Sequence, residues 1–360
     1  MKGIIRLILL FIFLAGCKPI TSQPTLASTS TVLPDVQDLS ADEIATLSSI
    51  EKLDDYPLYS MRYVGDYTHF FIANSDRHPE PFIRFAPNTC QPAWGCALFA
   101  ALGDPASRQY GRNFDWRFSP ALLLSTDPPD GYASVSMVDI DYLSFRDSLA
   151  RNLLDLPLSE RRALLYAPFL PFDGMNEQGV AIGMAAVPPG EMQADPAKKT
   201  IDHLTVMREI LDHAGTVDDA VGILESYNID MGSVPLHYLI ASAAGESALV
   251  EFYQGKMEVL RDEDPWQLAT NFLVASTAGQ PQGQCPRYDR ISQKLRETDG
   301  KLTSQAALDL LADVSQNPPQ AQSPTQWSIV YELTSGEIHV VMGRAYDIGA
   351  HTLQLNLAGK

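Results

Sequence analysis

The sequence predicts an α+β protein in which antiparallel sheets are covered by helices. Strand-like runs arrive in pairs across turn residues, helical patterns come in pairs between those hairpins, and 45% of the 360 residues are hydrophobic, ample for a core. A parallel, doubly wound sheet would alternate strands with single helices instead.

The first 17 residues, MKGIIRLILLFIFLAGC, join two cations, Lys2 and Arg6, to an apolar stretch too short to span a membrane, which is the pattern of an export signal. Its end, Leu14-Ala15-Gly16-Cys17, resembles a bacterial lipobox and implies lipidation of Cys17. The mature protein is then expected in the cell envelope, extracytoplasmic and tethered to a membrane by lipid; Lys18 favours an outer membrane where one exists. Residues 18–45, rich in Ser, Thr and Pro, read as a flexible linker. Residues 46–95 read as helical at first and then loop-like, with prolines gathering after residue 78.

Hairpins follow. CALFAAL (96–102) and YGRNFDW (110–116) flank Gly103-Asp104-Pro105. GVAIGMAAV (179–187) follows a turn placed at Asp173-Gly174. HYLIASA (237–243) and ALVEFYQ (248–254) flank Gly245-Glu246, and WSIVYEL (327–333) and IHVVMGR (338–344) flank Ser335-Gly336. Between them Leu204, Met207, Ile210 and Leu211 share one helical face, and Thr216-Val217-Asp218-Asp219 looks like a capping box opening a second helix. Further helices are expected over 286–296 and 303–315.

Charge narrows the function. Twenty-six basic residues stand against 44 acidic ones, a net of −18, so nucleic acid is a poor partner. No histidine spacing suits a metal, no glycine-rich loop suits a phosphate, and no cofactor is expected. After Cys17 only Cys90, Cys96 and Cys285 remain, an odd number for an oxidising compartment. Pairing of Cys90 with Cys285 leaves Cys96 as the odd thiol, and spacing alone leaves that pairing open.

Gly95-Cys96 is the informative dipeptide. If the chain is cut there, Cys96 acquires an α-amino group with a pKa of about 7.7, so nucleophile and base become one residue. The thiol itself can make the cut by an N-to-S acyl shift followed by hydrolysis, and glycine at 95 tolerates a strained or positive φ before the nucleophile.

Cys96, then Gly111-Arg112-Asn113-Phe114-Asp115-Trp116, Asp173-Gly174-Met175-Asn176-Glu177-Gln178-Gly179, Thr270-Asn271 and Pro286-Arg287-Tyr288 follow one another in this order. The series resembles the Ntn hydrolases of the choloylglycine hydrolase group, which includes penicillin V acylases, acid ceramidase-like amidases and isopenicillin N acyltransferase-like enzymes. It spans residues 96 to about 345. The resemblance implies an αββα sandwich over 96–360, and makes 46–95 a propeptide or α-subunit segment removed from Cys96 by autocleavage. It implies that Arg112 favours the thiolate, Asp115 orients the new α-ammonium, Asn271 donates to the oxyanion and Arg287 balances the charge. Bile salt hydrolases and penicillin V acylases carry a second oxyanion asparagine ten residues after the one matched by Asn176. Ala186 stands at that place here, so a backbone N–H must serve as the second donor.

A papain-like enzyme is the nearest rival, with Gln91 before Cys96 and His203, His213 or His237 as base, but its flanking residues and spacing are absent. The expected function is a lipid-anchored cysteine amidohydrolase acting on small N-acyl amides through an S-acyl enzyme. Transfer of the acyl group to another amine is the first alternative, and a non-catalytic ligand-binding lipoprotein of the same fold is the second. Phe114, Trp116, Phe169 and Phe272 are candidates for an acyl pocket. Oligomeric state has no signal in the sequence.

Overall fold

A computed structural model describes residues 39–68, 95–146, 150–189, 193–232, 234–317 and 323–359. The readings placed on Cys17, Cys90 and Gln91 lie outside these residues. Among the described residues no helix is long and apolar enough to cross a membrane.

The chain starts with a helix, α1 (Ala41–Ser48), whose cap is reciprocal: the Ser40 hydroxyl accepts from Glu43 N–H, and the Glu43 carboxylate accepts from Ser40 N–H. The linker predicted to reach residue 45 therefore gives way to helix at 41, because Ser40-Ala-Asp-Glu43 is itself a start signal. Two strands follow, β1 (Glu51–Asp54) and β2 (Leu58–Arg62), where a loop was expected. Their alternation is too short to stand out locally; β2 is a strand because it pairs in parallel with β5 (Ala121–Thr126) and buries Leu58, Tyr59 and Met61.

The expected hairpins form. β3 (Gly95–Ala101) pairs antiparallel with β4 (Gln109–Asp115). β11 (Leu236–Ser242) pairs with β12 (Ser247–Tyr253), and β15 (Thr325–Glu332) with β16 (Glu337–Met342). Asp173-Gly174 is not the predicted turn. It opens a strand, β7 (Asp173–Asn176), which pairs with β6 (Ser134–Asp139) and β8 (Val180–Ala186), and the chain reverses at Glu177–Gly179, where Gly179 takes φ +74°. The Asn176 side chain closes that turn by accepting from Gln178 and Val180 N–H. It also donates to the carbonyls of Leu211 and Ala214, so its role is structural.

The remaining strands are β9 (Lys199–Asp202), β10 (Tyr227–Asp230), β13 (Lys256–Leu260), β14 (Trp266–Ala269) and β17 (His351–Gln354). A nine-stranded sheet runs β1-β2-β5-β6-β7-β8-β11-β12-β13 and a six-stranded sheet runs β14-β3-β4-β15-β16-β17. Every pairing within them is antiparallel except β2 with β5. The helices α2 (Thr205–His213) and α3 (Val217–Ser226) cover the outer face of the larger sheet. α4 (Pro286–Thr298) and α5 (Ser304–Asp313) cover the smaller one. The order is helix, sheet, sheet, helix: the αββα sandwich.

Alternation in β3 divides its side chains between two cores. Cys96, Leu98 and Ala100 point between the sheets with Tyr110 and Leu239, while Ala97, Phe99 and Ala101 pack under α4 and α5 with Ile291 and Leu311. Tyr110 donates across the sheet interface to the Leu239 carbonyl at 2.9 Å.

Candidate active site

Cys96 is the second residue of β3, inside the sandwich and 3% exposed. Its Sγ stands 3.9 Å from Nη2 of Arg112, which lies on the neighbouring strand β4 two residues before Phe114, the register partner of Cys96. Arg112 is fully buried, and a carboxylate, Asp173, holds its guanidinium together with the Phe172 carbonyl. Asp173 also accepts from the Trp327 indole at 3.3 Å and from the Tyr331 hydroxyl at 2.6 Å. The cation beside the sulfur is thereby fixed by groups from both sheets.

Burial pushes the Cys96 thiol up, and the neighbouring Arg112 cation pulls it back only in part. With the peptide bond to Gly95 intact, the sulfur is a thiol at neutral pH.

Arg287, at the start of α4, joins the rest of the site. Its Nη1 donates to the Cys96 carbonyl at 3.1 Å and to Oδ2 of Asp115 at 2.7 Å, and its Nη2 donates to Oδ1 of Asn271 at 2.7 Å. The same Asn271 oxygen accepts from the Cys96 N–H at 2.8 Å. The nitrogen that would become the α-amino group is thus already held on Asn271. Asp115 is fully buried and accepts further from Thr325 at 2.5 Å and Gln316 at 3.0 Å. Burial raises its carboxyl above the ordinary range, against the lowering by Arg287, Thr325, Gln316 and Arg112.

Cys96, Arg112, Asp115, Asn271 and Arg287 are therefore brought together. One detail differs from expectation. The Asn271 amide N–H that the resemblance aims at an oxyanion donates instead to the Ala186 carbonyl at 2.8 Å. Val187 N–H donates to Pro235 O, so by strand alternation Ala186 turns its own N–H and C=O away from β11, toward Asn271.

Gly95 is tied to its place by space. A β-carbon there would stand 1.9 Å from Nε2 of Gln316 and 2.9 Å from Oδ2 of Asp115. Sequence reasoning missed Asp173 as a partner of Arg112, although it heads a quoted motif, and missed Thr325 and Gln316 altogether, since nothing local to 315–325 signals chemistry.

Other candidates are elsewhere engaged. His237 is fully buried with Nδ1 2.9 Å from Glu251, and His203 lies against Asp202 and the Asp230 carbonyl. Among the described residues the thiol's hydrogen-bond partners are the Arg112 side chain and the Asp115 backbone, not an imidazole. No cluster of His, Cys, Asp and Glu among them suits a metal ion. Of the aromatic candidates, Phe114 stacks on Trp327 at 4.1 Å, Phe169 meets Tyr67 edge-on and Phe272 meets Tyr288.

A family model described as acyl-coenzyme A:6-aminopenicillanic acid acyl-transferase matches residues 171–347. A cysteine-to-alanine variant of conjugated bile acid hydrolase from Clostridium perfringens superposes with a TM-score of 0.52 at 14% identity, over 72% of this chain and 92% of that one. An arginine-to-leucine variant of that hydrolase gives 0.51 at 15% identity, over 72% and 93%. Penicillin V acylase from Agrobacterium tumefaciens gives 0.47 at 19% identity, over 69% and 83%. The chain shares the αββα sandwich fold of that bile acid hydrolase.

The region matched by the family model carries Asp173, Asn271, Arg287, Gln316 and Thr325. Cys96, Arg112 and Asp115 lie before it, on the hairpin β3–β4. Fold packing and Arg287, not sequence proximity, unite the two sets.

Proposed function

We propose that this protein is a cysteine amidohydrolase that matures by cutting its own Gly95-Cys96 bond and then hydrolyses linear amides of small N-acyl substrates. The observation that carries the reading is the Arg287 guanidinium, which simultaneously holds the Cys96 carbonyl, Asp115 and Asn271 around one nitrogen. After the cut that nitrogen is an α-amine flanked by Asn271 and, across the space left by Gly95, by Asp115.

In turnover the amine takes the thiol proton, the thiolate adds to the acyl carbon, and the Ala186 N–H and the Asn271 side chain receive the oxyanion. For Asn271 this requires its amide to leave the Ala186 carbonyl. Collapse breaks the C–N bond as the α-ammonium passes its proton to the leaving amine. Water then attacks the thioester, gives a proton to the amine, and releases the acid and the thiol. Arg112 stabilises the thiolate in both halves.

The match to an acyltransferase family supports a second reading, in which an amine replaces water in the last step. The signal and lipobox at 1–17 support attachment to a membrane in the cell envelope through lipid on Cys17.

Mass spectrometry of purified protein tests the core of the proposal. Two fragments split at Gly95-Cys96 are expected in wild type and none in Cys96→Ala. The matured protein should release acid from N-acyl amides, and added amine should divert product if transfer competes. A wild-type chain that stays whole, with no activity on a graded series of N-acyl amides, overturns it and favours a binding protein of the same fold. Cys17→Ala should move the protein from membrane to soluble fraction.

A further inference from the structure

Gln316 lies between α5 and β15. Its backbone is pinned at both ends of the peptide: its N–H donates to Thr325 Oγ1 at 2.8 Å and its carbonyl accepts from Thr325 N–H at 3.0 Å. Thr325 in turn donates to Oδ1 of Asp115. The Gln316 side chain reaches the other oxygen, Nε2 donating to Oδ2 at 3.0 Å. Held this way, its amide lies against the Gly95 α-carbon, where a β-carbon would meet Nε2 at 1.9 Å and Cδ at 3.1 Å.

An alanine at 95 thus fits only if the Gln316 amide swings off Asp115, because the backbone that carries it cannot retreat, and if Oδ2 of Asp115, 2.9 Å from that β-carbon, also gives slightly. Swinging off removes a hydrogen bond to a carboxylate in a buried place, an interaction stronger than one between neutral groups. The residue donating the acyl group in the self-cutting step and the carboxylate awaiting the α-amine are therefore in contact with one side chain.

We propose that Gln316 is a positioning residue that restricts position 95 to glycine: the amide that sets Asp115 in place also excludes a β-carbon from the residue whose carbonyl is attacked. The proposal rests on the self-cleavage reading above. In that step the Cys96 sulfur bonds to the Gly95 carbonyl carbon, the C–N bond breaks, and the nitrogen keeps the thiol proton. Water then converts the thioester to the Gly95 carboxylate and regenerates the thiol. With alanine at 95 the displaced amide leaves Asp115 poorly placed for the nitrogen as it becomes basic.

The test compares wild type, Gly95→Ala, Gln316→Ala and the double variant, following cleavage of freshly translated full-length chain by mass spectrometry and folding by thermal melting. Gly95→Ala is expected to slow the cut about tenfold or more, and Gln316→Ala to bring the double variant well above Gly95→Ala, toward the rate of Gln316→Ala alone. If Gly95→Ala does not fold, the same reasoning expects Gln316→Ala to recover a cooperative melt. A double variant no faster and no better folded than Gly95→Ala, or a Gly95→Ala chain cut at the wild-type rate, overturns the role of Gln316. A wild-type chain that is never cut overturns the maturation reading, and this proposal with it.

Discussion

At the scale of single residues the site is a set of charges held apart from water and tied through Arg287. A lysine cannot replace that residue, because one ammonium cannot present the planar fork that reaches the Cys96 carbonyl, Asp115 and Asn271 together. Arg287→Lys is expected to lower both self-cleavage and kcat by about tenfold to a hundredfold, read in a cleavage time course and steady-state assay. The raised thiol predicts a second outcome. In an uncut chain such as Asn271→Ala, Cys96 should be alkylated by iodoacetamide more slowly than a free cysteine at pH 8. The rate should rise only above the ordinary thiol range. Fast alkylation at pH 7 in that variant would sink the idea that burial outweighs Arg112. Of this set, Cys96, Arg112, Asp115, Asn271 and Arg287 were legible as motif residues. Their mutual contacts were not, because 175 residues separate Cys96 from Asn271 and 191 separate it from Arg287.

At the scale of elements, two buried carboxylates make separable predictions. Glu251 on β12 caps the 3-10 turn Val274–Thr277, accepting from Val274 N–H at 2.9 Å and Ala275 N–H at 2.8 Å, and is itself bound by His237. It thereby fixes the loop that carries Asn271 three residues earlier. Glu251→Gln puts an amide NH2 where an acceptor is required. It should lower the melting temperature and cost about tenfold in kcat, whereas Glu251→Asp should recover part of both. Asp139, which ends β6, accepts from Asp141 N–H, and burial pushes its carboxyl up to about 7. The fold thus favours its protonated form, so this contribution to stability is full below the unfolded carboxyl range and is lost as pH rises toward 7. Asp139→Asn should raise the melting temperature at pH 8 by roughly 5 °C and leave it nearly unchanged at pH 4, as thermal melts would show. Hairpins and helices were readable in advance because turn residues and apolar spacing are local. β1 and β2 were not, since what makes them strands is the edge of β5 that β2 finds and the edge of β2 that β1 then finds.

At the scale of the whole molecule, the segment before Cys96 is built into the sandwich. β2 adds to the nine-stranded sheet beside β5, and Tyr59, Met61, Tyr63 and Tyr67 share a core with Leu122, Leu124 and Leu164. The Tyr67 hydroxyl also donates to Asp212 on α2 at 2.7 Å. Once cut, the two fragments are therefore expected to remain one particle. Size-exclusion chromatography of matured protein should give a single peak containing both, separating only in denaturant. Separate elution with a folded larger fragment would remove the sheet role of residues 51–62. Burial of β2 on both sides opposes loss of the segment far more strongly than a single covalent link secures it.

By itself the sequence determined the hairpins and the paired helices, because strand alternation, helix caps and turn chemistry act over a few neighbours, while the site residues were named by the resemblance that the ordered motifs carry. The tertiary structure alone decided that Asp173 grips Arg112, that the Asn271 amide rests on Ala186, that β1 and β2 join the sheet, and that Gln316 lies on Gly95. Those pairings join residues far apart in the chain. They are selected by how two sheets close on each other and which buried polar groups must find partners, and no stretch of neighbouring residues encodes that.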